Sequence, residues 1–123
     1  MQRNCGKRNW FFPDGEMPLP GNYEIKAHES IIILNSTDKD ADIEITLYFT
    51  DRDPIKGINV KVGANRVRCL RTNNLDDMGG VEIPLETQYA IGLKSNVPVI
   101  AQYGRLEARE QPMAFYTNTG YWE

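Results

Sequence analysis

The sequence has little of what many classes of protein depend on. Its two cysteines, Cys5 and Cys69, are too few for a disulfide framework or a structural zinc site, and we expect both to be reduced. It has a single histidine, and its paired glycines follow acidic residues instead of opening a phosphate-binding helix. Its longest clean apolar run, Ile31–Leu34, is far shorter than the about 20 residues of a membrane-spanning helix. These absences argue against a metal centre, a nucleotide-binding loop and a transmembrane segment.

An excess of basic residues is also missing. Lysine and arginine number 14 against 17 aspartates and glutamates, which gives a net charge of −3. Proteins that bind nucleic acid through its phosphates normally show the opposite balance, so we do not expect nucleic acid as a partner. Met1–Leu19 carries charges and prolines where a secretory signal would have an apolar stretch. We therefore expect a cytoplasmic protein.

Residues suited to catalysis are equally sparse. His28, beside Glu29, could act as a base, but the sequence does not fix a nucleophile that would pair with it. Acidic residues cluster in Asp38–Asp42 and Asp51–Asp53, in polar segments where most carboxylates are solvated, and they are too thinly spaced for a calcium loop. We predict a protein that is not an enzyme and that carries neither a metal nor a cofactor.

What the sequence does contain is the pattern of a β-protein. Turn-forming groups of Pro, Gly, Asn and Asp recur at short intervals, and the segments between them are rich in Ile, Val, Thr, Tyr and Phe. No window keeps a helical period, and no linker or repeat divides the chain. Its 123 residues are the usual length of one domain. We predict an all-β fold, a single-domain antiparallel β-sandwich of jelly-roll type over residues 1–123.

The alternation of apolar and polar residues predicts several strands. Asp42–Thr50 and Ile58–Val62 each place apolar residues on one face only, so each is expected to bury one face. Glu29–Leu34 is apolar on both faces and is expected to be buried on both.

The later part of the chain is less regular. Ser95-Asn96 predicts a tight hairpin between the strands Gln88–Lys94 and Val97–Leu106. Glu82-Ile83-Pro84 is interpreted as a short edge segment, because proline cannot donate into a central ladder. Met113–Tyr121 is a plausible last strand.

Two residues each have two interpretations. Arg71 ends the strand Arg66–Arg71 on the face of Val67 and Cys69, so it either leaves the core into solvent or points at a partner or ligand. Trp10 precedes two phenylalanines and belongs either to the core or to an exposed platform that stacks on a sugar or another planar ligand.

A set of short motifs carries a resemblance through its order and spacing. The motifs are Trp10…Gly15…Gly21, His28-Glu29, Ile33-Leu34-Asn35, Ile43-Glu44-Ile45-Thr46-Leu47-Tyr48, Ile83-Pro84 and Ser95-Asn96-Val97-Pro98-Val99, followed by Gln102 and Arg105-Leu106. With them the chain resembles the Anabaena sensory rhodopsin transducer family from Trp10 to Gln111.

The resemblance implies a small β-sandwich from a prokaryote that assembles as a homo-oligomer, with a tetramer favoured. The named member is a cytoplasmic partner of a membrane photoreceptor, and the wider family looks like a set of domains that bind sugars or related metabolites. DNA binding has also been associated with the transducer, but the acidic balance of this chain weakens that expectation. The tail, Met113–Glu123, departs from the transducer, so the rhodopsin partnership does not carry over safely.

The resemblance also implies a set of ligand-binding residues, to which we add Arg71. Planar amides, a carboxylate and guanidinium groups suit sugar hydroxyls, and an aromatic face suits C–H groups. The same side chains could instead be buried polar staples that hold an oligomer together. The predicted site residues are Trp10, His28, Glu29, Arg71, Asn96, Gln102 and Arg105.

Two functions of different classes therefore remain open. The first is a non-enzymatic signalling domain that binds a small polar molecule such as a sugar. The second is a signalling adaptor that contacts the cytoplasmic face of a membrane receptor, without a ligand of its own. Both predict a homo-oligomer, and the aromatic residues of the tail serve either its interface or packing within the chain. These are Phe115, Tyr116, Tyr121 and Trp122.

Overall fold

Strands joined by polar turns make up the structure, a computed structural model that describes residues 5–109 and 112–123. These residues contain no α-helix, and so no helix that could cross a membrane. The prediction of an all-β antiparallel fold is confirmed. The strands are β1 (Lys7–Glu16), β2 (His28–Asn35), β3 (Ala41–Phe49), β4 (Ile55–Val62), β5 (Arg66–Arg71), β6 (Gln88–Glu107), β7 (Ala114–Thr119) and β8 (Tyr121–Trp122).

One strand of 20 residues, β6, belongs to both layers of the sandwich. Its first half pairs with β1 and β3 in a sheet of order β4-β3-β6-β1-β8, which we call sheet I. Its second half pairs with β2 and β7, and β5 lies outside β2, in a sheet of order β5-β2-β6-β7, which we call sheet II. The sandwich is therefore held together by a continuous backbone as well as by its core.

The predicted hairpin at Ser95-Asn96 is wrong, because both residues lie inside β6. A two-residue hairpin loop needs a positive φ in at least one position, and neither residue has one. Their polar side chains are used where β6 passes from one sheet to the other. Asn96 Oδ1 accepts a hydrogen bond of 2.8 Å from the Asp42 amide, and Ser95 Oγ accepts one of 3.3 Å from the Val97 amide.

The core lies between the inward faces of the two sheets. The alternation predicted for β3 and β4 is confirmed, with Ile43, Ile45 and Leu47 buried on one strand and three branched residues on the other. The chain crosses between the sheets again at Gly120, since β7 pairs in sheet II and β8 in sheet I. The predicted strand Met113–Tyr121 is therefore two strands, and Glu82-Ile83-Pro84 is irregular.

Sheet II is less covered than the sequence predicts. In β2, Ile31 and Ile33 point into the core, but Ile32 is half-buried and Leu34 is exposed on the outer side. The prediction that this strand is buried on both faces is thus wrong. The pattern recurs in β5, where Leu70 is buried while Val67 is 64% exposed. Apolar residues of sheet II face outward because no further layer of the described chain covers them.

Candidate functional site

A carboxylate with no solvent exposure, that of Glu29, lies at the centre of the polar interior. Its Oε1 accepts a hydrogen bond of 2.7 Å from the Tyr89 hydroxyl. Its Oε2 accepts from the Tyr103 hydroxyl, from Arg105 Nη1 at 3.3 Å and from the Glu16 amide at 3.1 Å. Four donors, one on β1 and three on β6, thus converge on one buried negative charge. Their hydrogen bonds offset the cost of removing the carboxylate from water.

The sandwich topology brings these donors together. Arg105 stands directly opposite Glu29 in the β2–β6 register. Tyr89 and Tyr103 lie in the two halves of β6, so their hydroxyl groups reach the carboxylate from different sheets. Tyr89 has one hydroxyl proton, which goes to Glu29, so Thr72 Oγ1 at 3.1 Å donates to the tyrosine oxygen. The network therefore links both sheets and the segment that follows β5.

Arg105 is nearly enclosed, with 8% of its side chain exposed. Besides contacting Glu29, it donates from Nε to Glu107 Oε1 at 2.6 Å and from Nη1 to the Glu16 carbonyl at 2.6 Å. Three carboxylates thus surround one guanidinium, those of Glu29, Glu107 and, at 3.9 Å, Glu16, and the backbone of β1 also takes part from Glu16.

Burial fixes the protonation of this network. Burial and the neighbouring Glu29 carboxylate raise the pKa of Tyr89 and of Tyr103 far above the usual value for tyrosine. Burial lowers the pKa of Arg105, but its hydrogen bonds to Glu107 and Tyr103 and the nearby carboxylates more than compensate, so the net shift is upward. The two tyrosines and the arginine therefore remain protonated near neutral pH and act as permanent donors.

The network is also closed. No buried side-chain nitrogen or oxygen of the described residues lacks a hydrogen-bond partner. Glu29 and Arg105, two of the predicted site residues, are thus brought together, but most of their bonding capacity is used within the protein. This arrangement resembles the alternative to a ligand site given above, in which buried polar side chains hold parts of the protein together.

The other five predicted site residues lie elsewhere. Trp10 is buried, and its indole N–H lies 3.1 Å from the carbonyls of both Lys7 and Val99, so it is no exposed stacking platform. Asn96 is occupied at the start of β3, where its Oδ1 accepts from the Asp42 amide. The other three share the outer face of sheet II, where His28 Nδ1 lies 2.9 Å from the Lys26 carbonyl. They are His28, Arg71 and Gln102.

The outer face of sheet II is largely uncharged and partly apolar. Directly paired residues lie on the same side of a sheet, so the register defines its members. Val67, Leu34, Ile100 and Phe115 are all exposed apolar residues, and Phe115 is 60% exposed. No acidic residue belongs to this face within β2, β5, β6 and β7. Its members are His28, Ser30, Ile32, Leu34, Val67, Cys69, Arg71, Ile100, Gln102, Gly104, Leu106, Phe115, Thr117 and Thr119.

The outer face of sheet I carries a feature that the sequence analysis missed. Tyr48 of β3 and Phe11 of β1 approach Gly92 of β6 from opposite sides. Beside them a polar row crosses the same three strands, with Glu44 opposite Lys94 and Lys94 opposite Asn9. The two sets line a depression of about 150 Å³. A glycine in a central strand next to an outward-facing tyrosine was the signal that could have revealed it.

Among the four aromatic residues of the tail, Phe115 lies on the outer face of sheet II, while Trp122 packs on Trp10 with ring centroids 5.5 Å apart. In the described part of the chain, His, Cys, Asp and Glu side chains do not form a group of three or more that could hold a metal ion.

The fold is similar to that of two solved structures, which define the class of the protein. The crystal structure of Thermotoga maritima 1070 matches it with a TM-score of 0.83 and 38% sequence identity, over 96% of each chain. The Anabaena sensory rhodopsin transducer matches with a TM-score of 0.70 and 33% identity, over 83% of this chain and 84% of that chain. This is a β-sandwich domain of the transducer type. No curated protein sequence matches the chain.

The family follows from the sequence model. The model of the Anabaena sensory rhodopsin transducer family matches residues 5–122. The chain belongs to this family, which confirms the resemblance inferred from its motifs. The family is one of signal transducers and is not known as a family of enzymes.

Proposed function

We propose that this protein is a non-enzymatic signalling domain that acts as a homo-oligomer through the outer face of sheet II. The observation that carries the proposal is the exposure of Leu34, Val67, Ile100 and Phe115 on that face. Exposed apolar residues grouped on one face of a soluble domain usually mark a protein contact. The tetramer expected from the resemblance would need a second contact surface besides this one.

A second copy of this chain suits the face because of its charge. His28 and Arg71 lie towards one end, and no acidic residue opposes them within the four strands. In a two-fold contact whose axis crosses the strands near Ile32, the two Arg71 side chains would lie at opposite ends and would not repel each other. Such a pairing buries the apolar residues without burying a charge in the middle.

A membrane receptor is the second partner that we propose. One relative carries a sensory rhodopsin in its name, and a receptor of that kind would meet this domain in the cytoplasm. The oligomer would present repeated copies of the same surfaces to such a receptor, which favours binding through effective concentration.

Sedimentation of the purified chain tests the oligomer. We expect a mass of at least two chains of 14.0 kDa and a shift to a smaller assembly in Val67→Glu, because the glutamate would be buried without a partner. Ile25→Glu is the matched control, since Ile25 is an exposed apolar residue outside both sheets. A mass of one chain at all concentrations would refute the proposal. Equal effects of both variants would show that the contact between copies does not lie on the outer face of sheet II.

A second candidate function is the binding of a small polar molecule, such as a sugar or related metabolite. The depression on the outer face of sheet I favours it. For Glu29 and Arg105 we propose a structural role instead, because the network that they form is closed. For His28, Arg71 and Gln102 we propose a role in the contact between copies.

A thermal-shift screen against sugars, sugar acids, nucleotides and amino acids tests this second function. A ligand at about 100 times its dissociation constant stabilises the folded protein by about 2.7 kcal/mol, which moves the midpoint by several degrees. A reproducible shift would support binding, and a flat screen would count against it.

A further inference from the structure

A cavity of about 190 Å³ lies at one end of the sandwich, just beyond the ends of β1 and β5. Its floor is made by Met17, Thr72 and Ile83, whose exposed fractions are 3%, 1% and 4%. Its walls come from the irregular segment 73–87, which joins β5 to β6. Thr72 also hydrogen-bonds to Tyr89, so the cavity borders the network around Glu29.

Backbone hydrogen bonds hold the walls of the cavity in place. The Met17 amide donates to the Thr87 carbonyl at 3.1 Å, and the Met17 carbonyl accepts from the Glu86 amide at 2.7 Å. On the other side, Met78 is buried in the core, and its amide donates to the Asn74 carbonyl at 3.1 Å. Because both ends of the segment are tied down, a ligand would not have to order a loop in order to bind.

The inside of the cavity is aliphatic. Leu75 and Leu85, both more than half exposed, stand around the opening above Ile83. Among the described residues that line it there is no aromatic ring, so a sugar would find no flat surface for its C–H groups. The lining instead suits a short chain of methylene groups.

The charge around the cavity is negative. The sequence between Arg71 and Lys94 contains four acidic residues and no basic one. Asp77 lies 3.7 Å from Arg68, but within the described part of the chain Glu82, at the rim of the cavity, takes part in no ion pair. A carboxylate at the mouth of an apolar cavity favours a cation and repels a phosphate or a carboxylate.

The volume limits the size of the ligand. A water molecule takes about 30 Å³ of the liquid, so the cavity holds roughly six non-hydrogen atoms, far fewer than a nucleotide has. An amine with a short alkyl chain has this size. It is protonated at neutral pH, and its ammonium group donates three hydrogen bonds, for which Glu82 and Asn73 offer acceptors at the rim.

We propose that this cavity binds a short aliphatic amine, with its alkyl chain against Leu75, Ile83 and Leu85 and its ammonium group on Glu82. This inference rests on the second candidate function, for which it names a class of molecule, and it places the ligand at the end of the sandwich. It is independent of the contact proposed on sheet II.

The test is a titration of the full ¹⁵N-labelled chain with butylamine and putrescine at millimolar concentrations, followed by NMR. Both should bind saturably, with shift changes concentrated at Met17 and in residues 72–87. Glu82→Gln should weaken the affinity about threefold, the effect of losing one exposed ion pair. Asp76→Asn is the matched control, because it removes the same charge from an exposed position of the same segment outside the lining, and it should leave the affinity nearly unchanged.

Butanol and butyrate separate the alkyl chain from the charge. Butanol should bind about threefold more weakly than butylamine, and Glu82→Gln should not change its affinity, because no ion pair is lost. Butyrate should bind more weakly still, since Glu82 repels it. Leu85→Ala should weaken butylamine and butanol by the same factor, because it removes part of the apolar wall and leaves the charge in place.

Three outcomes would overturn the proposal, and they differ in what they leave standing. If neither amine causes a saturable shift, the cavity does not bind this class, and a hit elsewhere in the thermal-shift screen would still support the second function. If the amines bind but Asp76→Asn weakens them as much as Glu82→Gln, ligand binding stands and this site is wrong. If butyrate binds as tightly as butylamine, the class of ligand is wrong.

Discussion

Tyr89 and Tyr103 belong to one strand but to different sheets, and their hydroxyl groups meet on the same carboxylate. The strand is β6, which leaves sheet I and enters sheet II between the two tyrosines. The carboxylate is that of Glu29, on β2. The two layers of the sandwich are therefore coupled by hydrogen bonds at its centre, in addition to the apolar contacts that most sandwiches use.

Glu29→Gln should destabilise the protein by about 3 kcal/mol, because it removes a buried charge that pairs with Arg105 and accepts hydrogen bonds from both tyrosines. All four groups around the carboxylate donate to it, so an amide N–H of glutamine would find an acceptor only if a tyrosine hydroxyl turned its proton away. Urea denaturation at a fixed protein concentration measures the loss. Glu24→Gln, at an exposed position, is the control, and a loss below about 1 kcal/mol in Glu29→Gln would contradict the network's structural role.

Tyr89→Phe and Tyr103→Phe should each cost about 1.5 to 3 kcal/mol, the value of a hydrogen bond to a charged group. Because both hydroxyls serve Glu29, the double variant should not show the sum of the two losses. A double-mutant cycle on the free energy of unfolding measures this coupling. Additivity within about 0.5 kcal/mol would mean that the tyrosines act independently.

Gly120→Ala should detach the end of the chain from sheet I. A Cβ at this position would lie 2.5 Å from the Phe11 carbonyl oxygen and 2.7 Å from Phe12 Cε1, both in β1. We expect a loss of about 1 to 3 kcal/mol from overpacking and faster hydrogen exchange at the Asn9 and Glu123 amides, which bond to each other's carbonyls.

Gly63→Ala is the matched control for this variant. Its Cβ would lie 3.5 Å from Arg66 Cγ, which is ordinary contact, and Gly63 has no positive φ. Equal exchange rates in Gly120→Ala and the original chain would show that β8 does not need the glycine.

Alternation along the chain was sufficient to predict the fold class and the inward faces of β3 and β4, because burial of one face follows from a period of two. It could not predict that β6 is one strand. The dipeptide Ser95-Asn96 favours a turn locally, but pairing with β3 and β1 before it and with β2 after it keeps the backbone of β6 extended. Such pairing depends on residues far away in the sequence, which no local pattern contains.

The candidate sites show the same limit. Glu29 and Arg105 were identified, but Tyr89, Tyr103 and Thr72, which complete the network, were not. A strand pattern says which side a residue faces and does not say which residues meet across the sandwich. The outer faces were missed for a related reason, since apolar residues on β2 and β5 predict burial until the sheets show that nothing in the described chain covers them.

The raised pKa values of Tyr89 and Tyr103 predict a specific loss of stability in alkaline solution. A group whose pKa is higher in the folded state than its unfolded value of 10.0 stabilises the protein fully below that value. The stabilisation is lost as the pH rises above 10, because the unfolded chain releases protons that the folded chain retains. Each such tyrosine contributes a slope of about 1.4 kcal/mol per pH unit in that range. Urea denaturation between about pH 9 and pH 11 should therefore show a shallower decline in Tyr103→Phe than in the original chain. Tyr23→Phe, at an exposed position, is the control and should keep the original slope. Parallel declines in all three proteins would show that the Tyr103 hydroxyl ionises as easily as a tyrosine in water, and its hydrogen bond within the closed network around Glu29 would then be wrong.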